Sequence, residues 1–331
     1  MKKSVKLIDL YLLTLFLLGA ISTTLRTIAC FEWDNAAKHF SGNVVINIAD
    51  ATLVVTLLLF AAYPLFADKN NRKIASSDTP HSYIPSGMLA VALLFVAFER
   101  LANMGSPVIN QNTALNILSL VIFVLGIMSA IFFFLTIFIE KNENFWKAIF
   151  GMALVAFLAA SAAYLYFDRS LLPVNSPVKI ANMMAYLFSA IFFLFETRIA
   201  LGRAIWRVYV AFGLATSLLA AYASIPVLIY YAVNHECISG SPSECALLLS
   251  LSIFACARII VSRKLNNDGA CDTAVFIEAL AAKRETEING EEALLARALE
   301  DNNEEIEAPD FENYTIDFTT EAESSEVEEN D

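Results

Sequence analysis

Eight apolar stretches, each long enough to cross a bilayer, occupy most of residues 8–263. A membrane-crossing helix needs about 20 largely apolar residues, because the hydrocarbon core is about 30 Å thick and a helix rises about 1.5 Å per residue. The spans read as 8–29, 44–66, 84–103, 113–139, 146–166, 178–199, 206–232 and 245–262. Each run is continuous, whereas barrel strands alternate over about 10 residues, so the spans are helices. The fold class that follows is all-α: a polytopic bundle of eight transmembrane helices over residues 1–264. A mean hydropathy of +0.59 agrees. The first run is longer than the about 7–15 residues of a secretory signal, and Arg26 stands just before the cleavage-like Thr27-Ile28-Ala29-Cys30, so an uncleaved helix is expected.

Lys and Arg in the short loops set the expected orientation. Lys2, Lys3, Lys6, Lys69, Arg72, Lys73, Lys141, Lys147, Arg198, Arg203, Arg207, Arg263 and Lys264 all fall on one side, against Lys38, Arg169 and Lys179 on the other. A multi-pass protein of the cell membrane with both termini cytoplasmic is expected. Trp146 and Trp206 at one interface and Trp33 at the other fit the aromatic belts.

The formal net charge of −12 is an average over two unlike parts. From Leu265 onward there are 21 acidic and three basic residues, a net −18, which leaves the membrane part at +6. Residues 265–300 carry two short helical patterns, over 272–285 and 291–300, separated by Gly290. Residues 301–331 are too acidic and too poor in apolar side chains to pack, so disorder is expected. Such a tail either stays solvated or docks a basic cytosolic protein through Phe311, Tyr314, Ile316 and Phe318. The Asn313-Tyr314-Thr315 sequon lies on the wrong side of the membrane for glycosylation.

Among the five cysteines, Cys237 and Cys245 share one loop with Gly240 and Pro242 between them, which makes them a candidate disulfide. Cys30 is a rival partner near the same interface. Their spacing does not suit a metal such as zinc.

Ionisable groups at membrane depth are costly and so point to function. The outer group comes from the first four helices. Gly19, Ser22 and Arg26 share a helix face at i, i+3 and i+7, and Asn43, Asn47 and Asp50 form a second stripe. Glu99 and Asn103 lie one turn apart beside Arg100, and Asn112, Asn116 and Ser119 form a fourth stripe. Arg26, Asn47, Asp50, Glu99, Arg100, Asn103 and Asn116 are thus the candidate ligand-binding set. Read structurally, they are interhelical pairs locking helices one to four together, which needs no ligand. Read functionally, they line an outward-opening polar cavity for a small polar solute. The inner group centres on Glu196, with Arg258 of the last span as its expected partner. Pro226 should kink the seventh span, as broken helices do at transporter sites and in ordinary bundles.

Catalytic motifs are absent. The three His lie in loops or at span edges, and there is no HExxH, no Gly-x-Ser-x-Gly and no phosphate-binding glycine loop. No cofactor or nucleic-acid partner is indicated, and a membrane enzyme is the least favoured class. The leading expectation is binding or transport of a small polar solute through the outer cluster, with a tail-docking regulatory or scaffold protein as the alternative.

Overall fold

The computed structural model describes residues 2–34, 39–40, 43–67, 83–104, 113–138, 144–168, 176–200, 205–238 and 241–267. Eight helices run through them: α1 (Lys2–Phe31), α2 (Asn43–Phe66), α3 (Tyr83–Asn103), α4 (Thr113–Phe138), α5 (Asn144–Phe167), α6 (Pro177–Ala200), α7 (Trp206–Asn234) and α8 (Pro242–Asn267). All eight are long and apolar enough to cross a bilayer. The chain is a multi-pass helical membrane protein. Two short strands, β1 (Trp33–Asp34) and β2 (His39–Phe40), pair antiparallel between α1 and α2. We call their side of the bundle the strand end, and the side where α1 starts and α8 finishes the terminal end. The tail segments read from the sequence as 265–300 and 301–331 lie outside the described residues beyond Asn267.

Burial, not length, distinguishes the helices. About seven-tenths of the apolar window of α7 and two-thirds of that of α8 are buried, against under a third for α2. Those two helices form the centre. Helices α3 to α8 pack each on the next, and α8 returns to α3, so the six close into a ring. The α1/α2 pair packs on α7 from outside that ring, and α2 and α3 are not a packed pair. Aromatic rings fill the middle: Phe133 meets Phe193 and Phe254 edge-on, and Phe193 stacks on Phe254 at 5.3 Å. Gly213 admits this packing, because a Cβ there would stand 2.8 Å from Ile259 and 3.0 Å from Phe192.

Helix ends are closed by side chains the apolar pattern does not foretell. Ser241 precedes Pro242, and its hydroxyl accepts the Glu244 amide at 3.3 Å, an N-cap followed by proline in the first turn. His235 takes a left-handed conformation (φ 59°) and donates its amide to the Tyr231 carbonyl, which ends α7. Lys179 of α6 donates to the Asp168 carbonyl at the end of α5. At the terminal end Arg263 of α8 pairs with Asp9 of α1.

Candidate functional site

The polar residues of the first three helices do not meet as one group. Because α7 and α8 stand between α1/α2 and α3, they separate into two clusters, each completed by residues of the central helices.

The first cluster joins α1, α2 and α7. On α1 the Ser22 hydroxyl is turned back onto the Gly19 carbonyl at 3.1 Å, and this leaves Arg26 alone at the top of the same face. Arg26 is fully buried. Its guanidinium carbon lies 4.3 Å from the centroid of the Tyr222 ring. The Tyr222 hydroxyl donates to the Asp50 carboxylate of α2. Neither Nε nor either Nη of Arg26 has a hydrogen-bond partner among the described residues. Counting along the spans that end at Phe31 and start at Val44, Arg26 and Asp50 both lie roughly 7–9 Å deep at about 1.5 Å per residue.

This arrangement is electrostatically incomplete. A buried ion carries a desolvation penalty of several kcal/mol, and a cation–π contact returns about 2 kcal/mol at best. Asp50 does not cancel the charge by direct contact; it forms no ion pair with Arg26 and accepts the Tyr222 hydroxyl instead. Pro226, one turn beyond Tyr222 and buried in α7, has no amide hydrogen to give to the Tyr222 carbonyl. The tyrosine that covers the guanidinium therefore sits where its own helix, continuous through this point, lacks one backbone hydrogen bond.

The second cluster joins α3, α5 and α8. Arg100 pairs with Glu244 and lies 3.8 Å over the Tyr164 ring. Glu99 accepts the hydroxyls of Ser241, at 2.9 Å, and Ser243. That carboxylate thus sits at the N-terminus of α8, where the helix dipole favours an anion. Every charge in this group has a matched neighbour. Asn116 of α4 is half-buried with its side-chain oxygen unpartnered, whereas Asn47 and Asn103 are exposed on the flanks of their helices.

Glu196 and Arg258 come together as a buried bidentate pair. Arg258 donates from Nε at 2.7 Å and from Nη2 at 3.1 Å, and Tyr209 of α7 adds its hydroxyl at 2.6 Å. With Arg258 fully buried and Glu196 nearly so, the pair ties α6 to α8 beneath α7. Nearby, Arg207 donates to the Pro64 carbonyl at 3.3 Å. Cys237 and Cys245 share one apolar cluster at the strand end with Cys30, Trp33 and Phe40.

No protein-family model, curated protein or solved structure matches the chain. The geometry therefore carries the functional reading alone.

Sequence reasoning missed Tyr164, Tyr209, Tyr222, Ser241, Ser243 and Glu244. Three of these shared a readable signal. Ser241-Pro242-Ser243-Glu244 has the spacing of a capping box, in which a Ser N-cap is followed three residues later by Glu. The tyrosines had none, because an isolated Tyr in an apolar helix looks the same whether or not a charge lies opposite.

Proposed function

We propose that this protein binds a small polar solute through an anionic group, taken up at Arg26 from the outer side of the cell membrane, with both termini cytoplasmic. The observation that supports it is a wholly buried guanidinium with no acceptor for any of its N–H groups among the described residues. A planar guanidinium presents donors in a fork that matches a carboxylate or phosphate bidentately. An anion entering beside Tyr222 would supply what the side chain lacks. Asp50 serves as the counter-charge held in reserve, kept off Arg26 by the Tyr222 hydroxyl. The backbone hydrogen bond missing at Pro226 gives the covering tyrosine freedom to move. Binding of the solute, and its transport if the strand end and the terminal end open in turn, would both begin there.

The test is calorimetric titration of the protein in nanodiscs with acetate, phosphate and sulfate. At least one should bind, and Arg26→Gln should weaken it at least tenfold while Arg100→Gln does not. Equal anion affinity in Arg26→Gln and wild type would overturn the proposal, as would the absence of any anion binding.

A further inference from the structure

Helices α1 and α8 both lean on α7 but pack only lightly on each other. Between them a groove of about 550 Å³ opens along the membrane-facing side. Its walls include Gly19 and Thr23 of α1, Leu218 and Ala221 of α7, and Ile253 and Ala257 of α8. The volume falls within the about 300–1,000 Å³ typical of ligand pockets.

The polar groups in its floor satisfy each other. Ser252 donates to the Ser217 carbonyl at 2.8 Å, and the two hydroxyls lie 3.5 Å apart. Apart from these serines, Thr23, Thr24 and Cys256 the lining is apolar, so an occupant of the groove is chiefly apolar along its length. On α1 the lining runs from Leu15 to Thr24. That is roughly 14 Å at about 1.5 Å per residue, enough for an alkyl chain of about ten to twelve carbons, whose ~1.5 Å bonds each project ~1.25 Å.

The two ends of the groove differ in charge. Towards the terminal end, beyond Leu15 and Ile260, stands the Asp9–Arg263 ion pair, which is neutral as a pair. Towards the strand end the same face of α1 continues from Gly19 to Arg26, two turns on. Helix side chains lean back towards the N-terminus, so Arg26 reaches down α1 in the direction of Gly19. The seam is continuous on the other side as well. Gly19 faces Leu218, with a Cβ built there only 3.2 Å from its methyl group, and Arg26 lies over Tyr222, one turn above Leu218. Arg26, unpartnered among the described residues, thus lies one turn beyond Thr23, buried just outside the lining at the strand end of an apolar groove whose far end is charge-balanced.

We infer that the anion accepted at Arg26 is the head of a single-chain amphiphile whose tail lies in the α1/α7/α8 groove. This rests on the reading of Arg26 as an anion site and adds the tail to it. Charge complementarity selects an anionic head, and the depth of Arg26 matches a head just below the outer interface with its chain running towards mid-membrane.

The experiment uses the full chain in phosphatidylcholine nanodiscs with decyl phosphate carrying a photoreactive diazirine near the tail end. Labelling should map to residues 15–24 and 249–260. Unlabelled decyl phosphate should compete at least tenfold better than decanol, which has the same tail and no charge. Arg26→Gln should reduce labelling at least tenfold. Ala20→Phe, which fills the groove from an exposed position and leaves Arg26 intact, should do the same without weakening inorganic phosphate. Competition by decanol equal to that by decyl phosphate would overturn the inference, as would labelling spread evenly over all membrane-facing helices. A cross-link between two chains through the groove would overturn it in favour of a second copy. If phosphate binds in an Arg26-dependent way while decyl phosphate binds no better, the tail assignment falls and the anion site stands. If neither binding depends on Arg26, both fall.

Discussion

Among the described residues two guanidiniums lie wholly inside this bundle, and α7 offers a tyrosine to each. Arg258 meets Glu196 through two parallel hydrogen bonds, and Tyr209 adds a third to the same carboxylate. Among the described residues Arg26 meets no carboxylate directly; it lies against the ring of Tyr222, whose hydroxyl donates to Asp50. Burial is the same in both places; satisfaction is not. A buried charge whose every donor has a partner ties helices together, while one that is buried without partners awaits something else.

The largest expected effect breaks the satisfied member. Arg258→Ala strands the Glu196 carboxylate in the core, a change that destabilises by about 3–5 kcal/mol. In nanodiscs the variant should melt far below wild type or fail to accumulate. The double change Glu196→Gln with Arg258→Met should recover most of the loss, since it removes both charges at once. A melting temperature unchanged by Arg258→Ala would mean that the pair does not hold α6 to α8.

The opposite sign is expected at the other guanidinium. Arg26→Met keeps most of the side-chain volume and removes an unsatisfied buried charge, so stability should rise by about 1–3 kcal/mol. Anion binding should disappear in the same variant. Gain of stability with loss of function is the usual signature of a site that is strained for its task. If Arg26→Met melts lower than wild type, Arg26 is matched in the resting protein and the contrast with Arg258 collapses.

The tyrosines sharpen the comparison on a smaller scale. Tyr209→Phe removes a bond to a fully buried carboxylate and should cost about 1.5 kcal/mol, while Tyr222→Phe releases the half-buried Asp50, which water or Arg26 can then satisfy, and should cost about 0.5 kcal/mol. Direct pairing of Asp50 with Arg26 in Tyr222→Phe should also compete with the anion and weaken its binding. Equal losses for the two variants would show that the clusters are energetically alike.

The spans were legible because hydrophobicity is local and additive: α2 was read as 44–66 and runs Asn43–Phe66, and α7 was read as 206–232 and runs Trp206–Asn234. The helical period also placed Gly19, Ser22 and Arg26 on one face. The expected Glu196–Arg258 partnership was readable because few charges share that depth. Partners across the bundle were not. Nothing near Arg26 in sequence announces Tyr222, nearly 200 residues later, and nothing near Arg100 announces Glu244. Four polar stripes at one depth suggested one cluster, yet depth fixes only the axial coordinate. Which helices are neighbours is set by side-chain packing, and here α7 and α8 take the positions between α1/α2 and α3.

The smallest predicted change in stability concerns Pro226, which has no counterpart near Tyr209. Alanine at this position restores an amide hydrogen to the Tyr222 carbonyl, worth about 1 kcal/mol, and leaves a small void where the buried ring packed, which offsets a similar amount. Net stability should therefore move by less than about 0.5 kcal/mol. Anion affinity should nevertheless fall several-fold, because a straightened α7 fixes Tyr222 over the guanidinium and hinders entry of the ligand. Stability alone is blind to the difference between a kink that merely packs and one that lets a cover move. The titration separates them: undiminished phosphate binding in Pro226→Ala would assign the break to packing and leave Arg26 to be reached by another route.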